Sequence, residues 1–287
     1  MRLINTNQKI LIVGLGLLGG SYAKALSKKG CHVSALTIDQ QSIDFALDKG
    51  WIEKGSAFVD VDLLSNADLV IFALYPTVFI KWIEDYQHLL KSGAVLTDVT
   101  GIKGAVVDKI QDMLRPDVEY IAAHPMAGKE VSGVENSDDR IFHNANYIVT
   151  PTARNSEEAI ELCRDLGVIL GFSRIATLSP NDHDEIIAFV SQLTHCIAVS
   201  LMTCQKTEHL EDYTGDSFRD LTRIARLNDE MWSELFLLNK KPLLDQMELF
   251  ENELKKMRTM LEEDNREGLR EMMRYSTARR ALFDKKL

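Results

Sequence analysis

Cysteine is scarce in this chain: four residues in 287, at positions 31, 163, 196 and 204, with no C-x-x-C pair. So few cannot staple a chain of this length, and they are expected to be reduced thiols in the core. No cluster has metal-ligand spacing, so no metal is expected. Positive charge is also in deficit, with 33 Lys and Arg against 43 Asp and Glu, a net charge of -10 and no polybasic block. That balance argues against nucleic acid as a partner. Long apolar runs are missing: the longest, residues 69–75, is seven residues, against roughly 20 needed to cross a bilayer. No membrane association is expected. Asn5, Asn7 and Gln8 stand where a signal peptide would need its apolar centre, which points to the cytoplasm. Repeats, low-complexity tracts and linkers are absent.

What remains has the composition of an ordinary globular protein, 45% hydrophobic and 26% charged. At about 150 residues per domain the length suggests two domains. Residues 9–13 form a short apolar run that ends in Gly14-Leu15-Gly16-Leu17-Leu18-Gly19-Gly20-Ser21, and residues 22–29 then have helical composition up to Gly30. Apolar strands predicted at 31–37, 68–74, 94–97 and 120–123 alternate with predicted helices at 42–49, closed by Gly50, and at 78–90. Strands separated by helical crossovers imply a doubly wound parallel sheet, an α/β fold. A further strand at 147–150, a helix at 156–166 ending at Gly167 and a last strand at 173–177 complete this half. From Pro180 the alternation stops: Gly215 and Pro242 are nearly the only breakers before Gly268, while Ile186, Ile187, Val190, Leu193, Ile197 and Leu201 recur at helical spacing. The expected division is therefore 1–179, α/β, and 180–287, all-helical. Long amphipathic segments such as 243–261 are suited to burial between two subunits.

Three glycines at G-x-G-x-x-G spacing are weak on their own, but here a strand precedes them, a helix follows, and Asp39 closes the second strand 20 residues after Gly19. That context is the dinucleotide-binding pattern, with Gly14 for the tight turn, Gly16 for approach of the pyrophosphate, Gly19 for helix packing, and Leu15, Leu17 and Leu18 between them. Asp39 is placed to accept from ribose hydroxyls. Gln40 and Gln41 supply no arginine for a ribose phosphate, so NAD is expected rather than NADP. The plainer reading of Asp39 is a turn-forming aspartate. Among seven histidines, His124 stands just past the predicted strand at 120–123, outside the carboxyl end of a strand, where ligands bind in such sheets. An imidazole there suits removal of a hydroxyl proton as a hydride leaves the same carbon. His183, in Asn181-Asp182-His183-Asp184-Glu185, reads as a helix-entry residue.

Four segments carry a more specific resemblance: the glycine turn from Gly14 to Ser21, Thr97-Asp98 followed by Gly101-Ile102-Lys103-Gly104, His124-Pro125-Met126-Ala127-Gly128, and Phe218-Arg219-Asp220-Leu221-Thr222-Arg223-Ile224-Ala225. In these the chain resembles the prephenate dehydrogenase family, which comprises the prephenate and arogenate dehydrogenases of tyrosine biosynthesis, from about residue 9 to 240. The resemblance implies a Rossmann-like NAD-binding domain followed by an all-α dimerisation domain, hence a homodimer. It also implies oxidative decarboxylation of prephenate to 4-hydroxyphenylpyruvate, with His124 as the proton acceptor, Arg223 on a substrate carboxylate, and His195, Gln192 and Gly128 near the substrate. Gln192 and His195, three residues apart, would share a helical face. Glu130, Asp220 and Trp232 fall where the family has an ionic and aromatic gate. Plainer readings stand beside these, a surface ion pair for Arg223 and a core histidine for His195. The family's serine after the Asp is replaced by Gly101, and Thr100 is expected to supply the hydroxyl from one residue earlier. Arogenate as substrate, other dehydrogenases of similar architecture and a catalytically silent NAD(H)-sensing protein remain open; the last two leave His124 with Arg223 unexplained.

Overall fold

The structure, a computed structural model, describes Ile4 and residues 7–283. It opens with the expected alternation: β1 (Lys9–Val13), α1 (Leu17–Ser27), β2 (His32–Leu36), α2 (Gln40–Asp48), β3 (Lys54–Ser56), α3 (Val61–Asn66), β4 (Leu69–Phe72), α4 (Pro76–Tyr86), β5 (Val95–Asp98), α5 (Val107–Met113) and β6 (Glu119–Tyr120). The six strands form one parallel sheet in the order β3-β2-β1-β4-β5-β6. Its central strands are covered on both faces, which is why β1 and β4 read as continuous apolar runs instead of alternating ones. The glycines expected to end α1 and α2, Gly30 and Gly50, both take a positive φ. Strand β3 and helices α3 and α5 were not legible in the apolar pattern; each is short, at three, six and seven residues.

A second sheet follows, of β7 (Ala122–Met126), β8 (Asn146–Thr150) and β9 (Arg174–Thr177). The run at 120–123 is thus divided at Ile121 between two sheets. Because β7 pairs antiparallel with β8, opposing His124 to Ile148, His124 lies within a strand and not past its end. Helix α6 runs Glu157–Leu170, three residues beyond Gly167. Gly167 serves close packing instead: a Cβ there would lie 2.7 Å from the Tyr147 ring, and the left-handed residue that closes the helix is Gly171.

From Pro180 the chain is helical, as expected. A single 24-residue helix spans Pro180–Thr203, comprising α7 (Pro180–Ile187), a wide π segment at Ala188–Leu193 and α8 (Thr194–Thr203). No unbroken apolar run predicted an element of this length, yet its length and composition suffice to cross a membrane. Two of its buried polar residues, His183 and Asp184, contact His124 on β7 and the β5–α5 loop, and a third, Gln192, bonds to α10, as described below. Helices α9 (Asp216–Thr222) and α10 (Asp229–Leu238) follow. The chain divides into two compact units after Lys240, so these helices belong to the same unit as the sheets. The second unit holds most of α11 (Lys240–Glu262) and α12 (Arg266–Arg280); Leu244, Leu249, Leu254 and Leu261 on α11 are exposed. Of the cysteines only Cys31 and Cys163 are core thiols; all four are free, and Cys204 is exposed at the end of α8, where the helix leaves the packed region.

Candidate active site

The glycine turn is built as its spacing requires. Gly14 has φ +99°, and a Cβ there would collide with the carbonyl oxygen of Ala73. A Cβ on Gly19 would strike the carbonyl oxygen of Gly14, so α1 can sit this close to β1 only without one. Gly16, by contrast, has open space around its missing side chain and begins α1 with no side-chain cap. The first-turn N–H groups and the positive helix end are thereby left to a ligand phosphate. Leu15 is buried beneath the turn, and Leu18 packs on the core. Asp39 caps α2, accepting from the amides of Gln41 at 3.2 Å and Ser42 at 3.0 Å, as in its plainer reading. The Ser42 hydroxyl, foremost among its partners, holds the Asp39 carboxyl below its usual range, so a fixed negative charge stands at the end of β2.

A buried ionic network occupies the ends of β5 and β7. The fully buried ammonium of Lys103 donates to Asp98 Oδ2 at 2.6 Å, to the Ala123 carbonyl at 2.6 Å and to Thr100 Oγ1 at 3.2 Å. Burial pulls the Lys103 pKa down, and Asp98 opposes that pull. The other oxygen of Asp98 accepts from Tyr120 Oη at 2.9 Å and from the Ala123 amide at 3.2 Å. Asp98 and Lys103 therefore tie the β5–α5 loop to the residue immediately before His124.

Thr100 belongs to this network, which corrects its expected role. Its hydroxyl donates to Asp98, accepts from Lys103, and lies 3.0 Å from the Ile102 carbonyl, with the residue 3% exposed. It faces inward and has no proton left for a ligand. Position 101 is the one beside His124: a Cβ on Gly101 would sit 3.9 Å from His124 Cε1 and 3.6 Å from Leu235.

His124 Nδ1 lies 2.9 Å from Nε2 of His183, whose Nδ1 lies 2.7 Å from Asp184 Oδ1. Asp184 in turn accepts the amides of Lys103 and Gly104, each at 2.7 Å. Burial first, then the neighbouring His183 and Lys103, hold the His124 pKa well below its usual value. The imidazole is therefore neutral at pH 7. His183, fully buried at the first turn of α7, is no mere helix-entry residue. Sequence reasoning missed it as the partner of His124, and missed Asp184, Lys103 and Asp98 as the groups behind that pair. The available signal was a His-Asp pair just before the apolar residues that recur at helical spacing from Ile186.

A second cluster surrounds His195. Its ring stacks on Trp232 with centroids 3.8 Å apart and planes inclined by 31°, and its Nδ1 lies 2.9 Å from the Ser191 carbonyl. Burial lowers its pKa, with Glu130 acting to raise it and Arg223 to lower it. Glu130 and Arg223 form an ion pair. Trp232 and Leu235, one turn apart on α10, face His195 and the Gly101–His124 corner respectively, so the two clusters adjoin along one helix face. Gln192 is not in this group. The π segment shifts its direction, and its amide donates to the Leu235 carbonyl at 3.0 Å and accepts from Asn239 at 2.8 Å, locking α10 to the long helix. Asp220 is exposed without an ion-pair partner among the described residues, because Arg223 takes Glu130. Gly128 is exposed with open space around it.

A parallel α/β sheet with a glycine turn built for a pyrophosphate, and a neutral histidine beside the loop that follows β5, define the class: a dinucleotide-dependent dehydrogenase of the Rossmann type with a helical C-terminal part. Residues 22–170 match the nucleotide-binding domain of prephenate dehydrogenase, and residues 179–275 match its dimerization domain. The chain belongs to the prephenate dehydrogenase family. It is 31% identical over 272 residues to the Bacillus subtilis prephenate dehydrogenase, covering 91% of this chain and 72% of that protein. It is 29% identical to the cyclohexadienyl dehydrogenase of Zymomonas mobilis, covering 93% of each. The prephenate dehydrogenase of Aquifex aeolicus in complex with hydroxyphenyl propionate and NAD+ superposes with a TM-score of 0.88 at 30% identity, covering 96% of this chain and 98% of that one.

Replacing Lys103 by Met should leave Asp98 as an unpaired buried charge and lower the unfolding free energy by about 3–5 kcal/mol. Urea denaturation checks this, and a loss below about 1 kcal/mol, the size of an exposed pair, would contradict the assigned partnership.

Proposed function

We propose that the chain catalyses the NAD+-dependent oxidative decarboxylation of prephenate to 4-hydroxyphenylpyruvate, with release of carbon dioxide, in the synthesis of tyrosine. Family membership supports the reaction, and the observation that carries the mechanism is His124: neutral, with one ring nitrogen taken by His183 and its ring beside Gly101. The residues of the glycine turn fit a dinucleotide, since Gly16 leaves the open approach that a pyrophosphate needs. Gly14, Leu15, Gly16, Leu17, Leu18 and Gly19 would hold the phosphates and Asp39 the adenosine ribose. The charge on Asp39, with no arginine at 40 or 41, favours NAD over NADP. When bound, NAD+ supplies the hydride acceptor.

His124 Nε2 accepts the proton of the ring hydroxyl as that carbon gives up its hydride and becomes a carbonyl. The bond to the ring carboxylate then breaks, carbon dioxide leaves, and the bonding pair enters the ring and reaches the oxygen. The oxygen takes the proton back from His124, and aromatisation drives the step. No general acid beyond His124 is needed. Arg223, which pairs with Glu130 in this structure, exchanges that carboxylate for one of the substrate's. Its guanidinium suits either partner. His195 and Trp232 line the same end of the site, with Glu130 and Arg223 as its gate. Gln192 and Thr100 act by holding α10 and Asp98 in place, not by touching substrate.

We place the division of labour at residues 179/180, with a nucleotide-binding part before it and a helical part after. The exposed leucines of α11 support a homodimer formed through the helical part. The cytoplasmic location expected from the sequence belongs to the same proposal.

The test is NADH formation by the purified protein from NAD+ with prephenate or arogenate, with NADP+ in parallel. Turnover of prephenate with NAD+ is expected; turnover of arogenate alone would rename the substrate, and silence with both would return the chain to the NAD(H)-sensing reading. His124→Asn should bind NAD+ as the wild type does and lose about 10²- to 10⁴-fold in kcat, the range for a general base. Wild-type turnover in that variant would remove His124 from the chemistry.

A further inference from the structure

The chain of contacts behind His124 has only one consistent pattern of protons. Asp184, as a carboxylate, can accept but not donate. Both its oxygens are already fixed by backbone donors, Oδ1 by the amide of Lys103 and Oδ2 by that of Gly104. This docking depends on position 104 being glycine, because a Cβ there would lie 2.9 Å from Asp184 Oδ2. With the carboxylate pinned, the 2.7 Å contact to His183 Nδ1 requires the hydrogen to sit on that nitrogen. His183 is fully buried and neutral, so its Nε2 carries a lone pair. The 2.9 Å contact from there to His124 Nδ1 then requires His124 to donate. The competing pattern, a doubly protonated His183, places a buried cation beside the Lys103 ammonium. Other groups near the pair are Asp98 and Asp184; from α10 the nearby side chain is the apolar Leu235.

We propose that Asp184 and His183 are positioning residues that select the tautomer of His124, fixing hydrogen on Nδ1 and presenting Nε2 to the substrate as a lone pair. Neither touches substrate or cofactor; both act through His124. The pair also lets the charge that His124 acquires be shared toward a fixed carboxylate. This inference rests on the reading of His124 as the base, and it explains why a helix of apolar character carries a buried His-Asp pair at its first turn.

The experiment is ¹⁵N nuclear magnetic resonance of the histidine-labelled full chain at neutral pH, together with kinetics of Asp184→Asn. In the wild type, His124 Nε2 should resonate as an unprotonated nitrogen and Nδ1 as a protonated one. In Asp184→Asn the side-chain amide must face either His183 or the Gly104 N–H. When it faces His183, hydrogen moves to His183 Nε2, and His124 switches to an Nε2–H tautomer. The variant should then lose about 10²- to 10⁴-fold in kcat, the scale seen when an orienting carboxylate is replaced, with KM for substrate and affinity for NAD+ unchanged. A protonated Nε2 in the wild type overturns the proposal, as does wild-type kcat in a variant whose own spectrum shows the switched Nε2–H tautomer of His124; a variant that keeps the Nδ1–H tautomer, its amide facing Gly104, should keep its kcat. Should Asp184→Asn fail to fold, the wild-type spectrum decides alone. The spectrum is read without turnover, so a chain with the predicted tautomer that forms no NADH would contradict the proposed function and leave the tautomer standing.

Discussion

The buried ammonium of Lys103 is the constraint on which the site depends. Taking an ammonium and a carboxylate out of water costs several kcal/mol for each, recovered only where every donor and acceptor is matched. Here Lys103 meets Asp98, Thr100 and the Ala123 carbonyl, while Asp98 also takes Tyr120 and the Ala123 amide. The backbone at both ends of this network is thereby specified. One end is the β5–α5 loop, whose amides at 103 and 104 receive Asp184, and the other is the residue before His124. A single fully satisfied cluster thus sets the spacing between the parallel sheet, the second sheet and the long helix.

The helical segment to Leu238 is best understood as part of this arrangement and not as a separate body. Beyond Asp184, Asn239 donates to the Asp184 carbonyl, and Glu234 on α10 accepts from the amide and hydroxyl of Thr77 at the start of α4. Asn228, the cap of α10, donates to Tyr75 Oη. These contacts bring α10 across the carboxyl end of the sheet, where ligands of doubly wound folds bind. The sheets thus carry His124 and the helices His195 and Trp232, brought near each other by α10.

What the sequence disclosed follows the range of the interactions involved. The glycine turn was readable because its demands are met within a few residues of one another, and the apolar strands because burial on both faces leaves an unbroken run. Glu130 and Arg223 were each named only through resemblance to a family, one for a gate and the other for a substrate carboxylate, and not as partners, since nothing in either segment announces a partner 93 residues away. His183 was passed over for the same reason: its partner lies 59 residues earlier, and only the folded chain supplies it. Gln192 was misplaced because a π segment breaks the spacing that would have kept it on the face of His195. Thr100 was misplaced because a hydroxyl next to a buried aspartate turns toward that charge. The division of the run at 120–123 between two sheets had no signal in hydropathy at all.

The account comes down to one ionisation. His124 must be neutral to accept a proton, and burial, His183 and Lys103 all favour the neutral form. A lowered pKa moves the acid limb of activity downward. The direct measurement is the pH dependence of kcat/KM for prephenate at saturating NAD+, which reports the essential groups of the enzyme before substrate binds. The predicted profile is level through neutrality and falls only well below the ordinary imidazole value of about 6.5. A limb with its midpoint at or above that value would mean that the base is not the buried imidazole described, and would contradict the account.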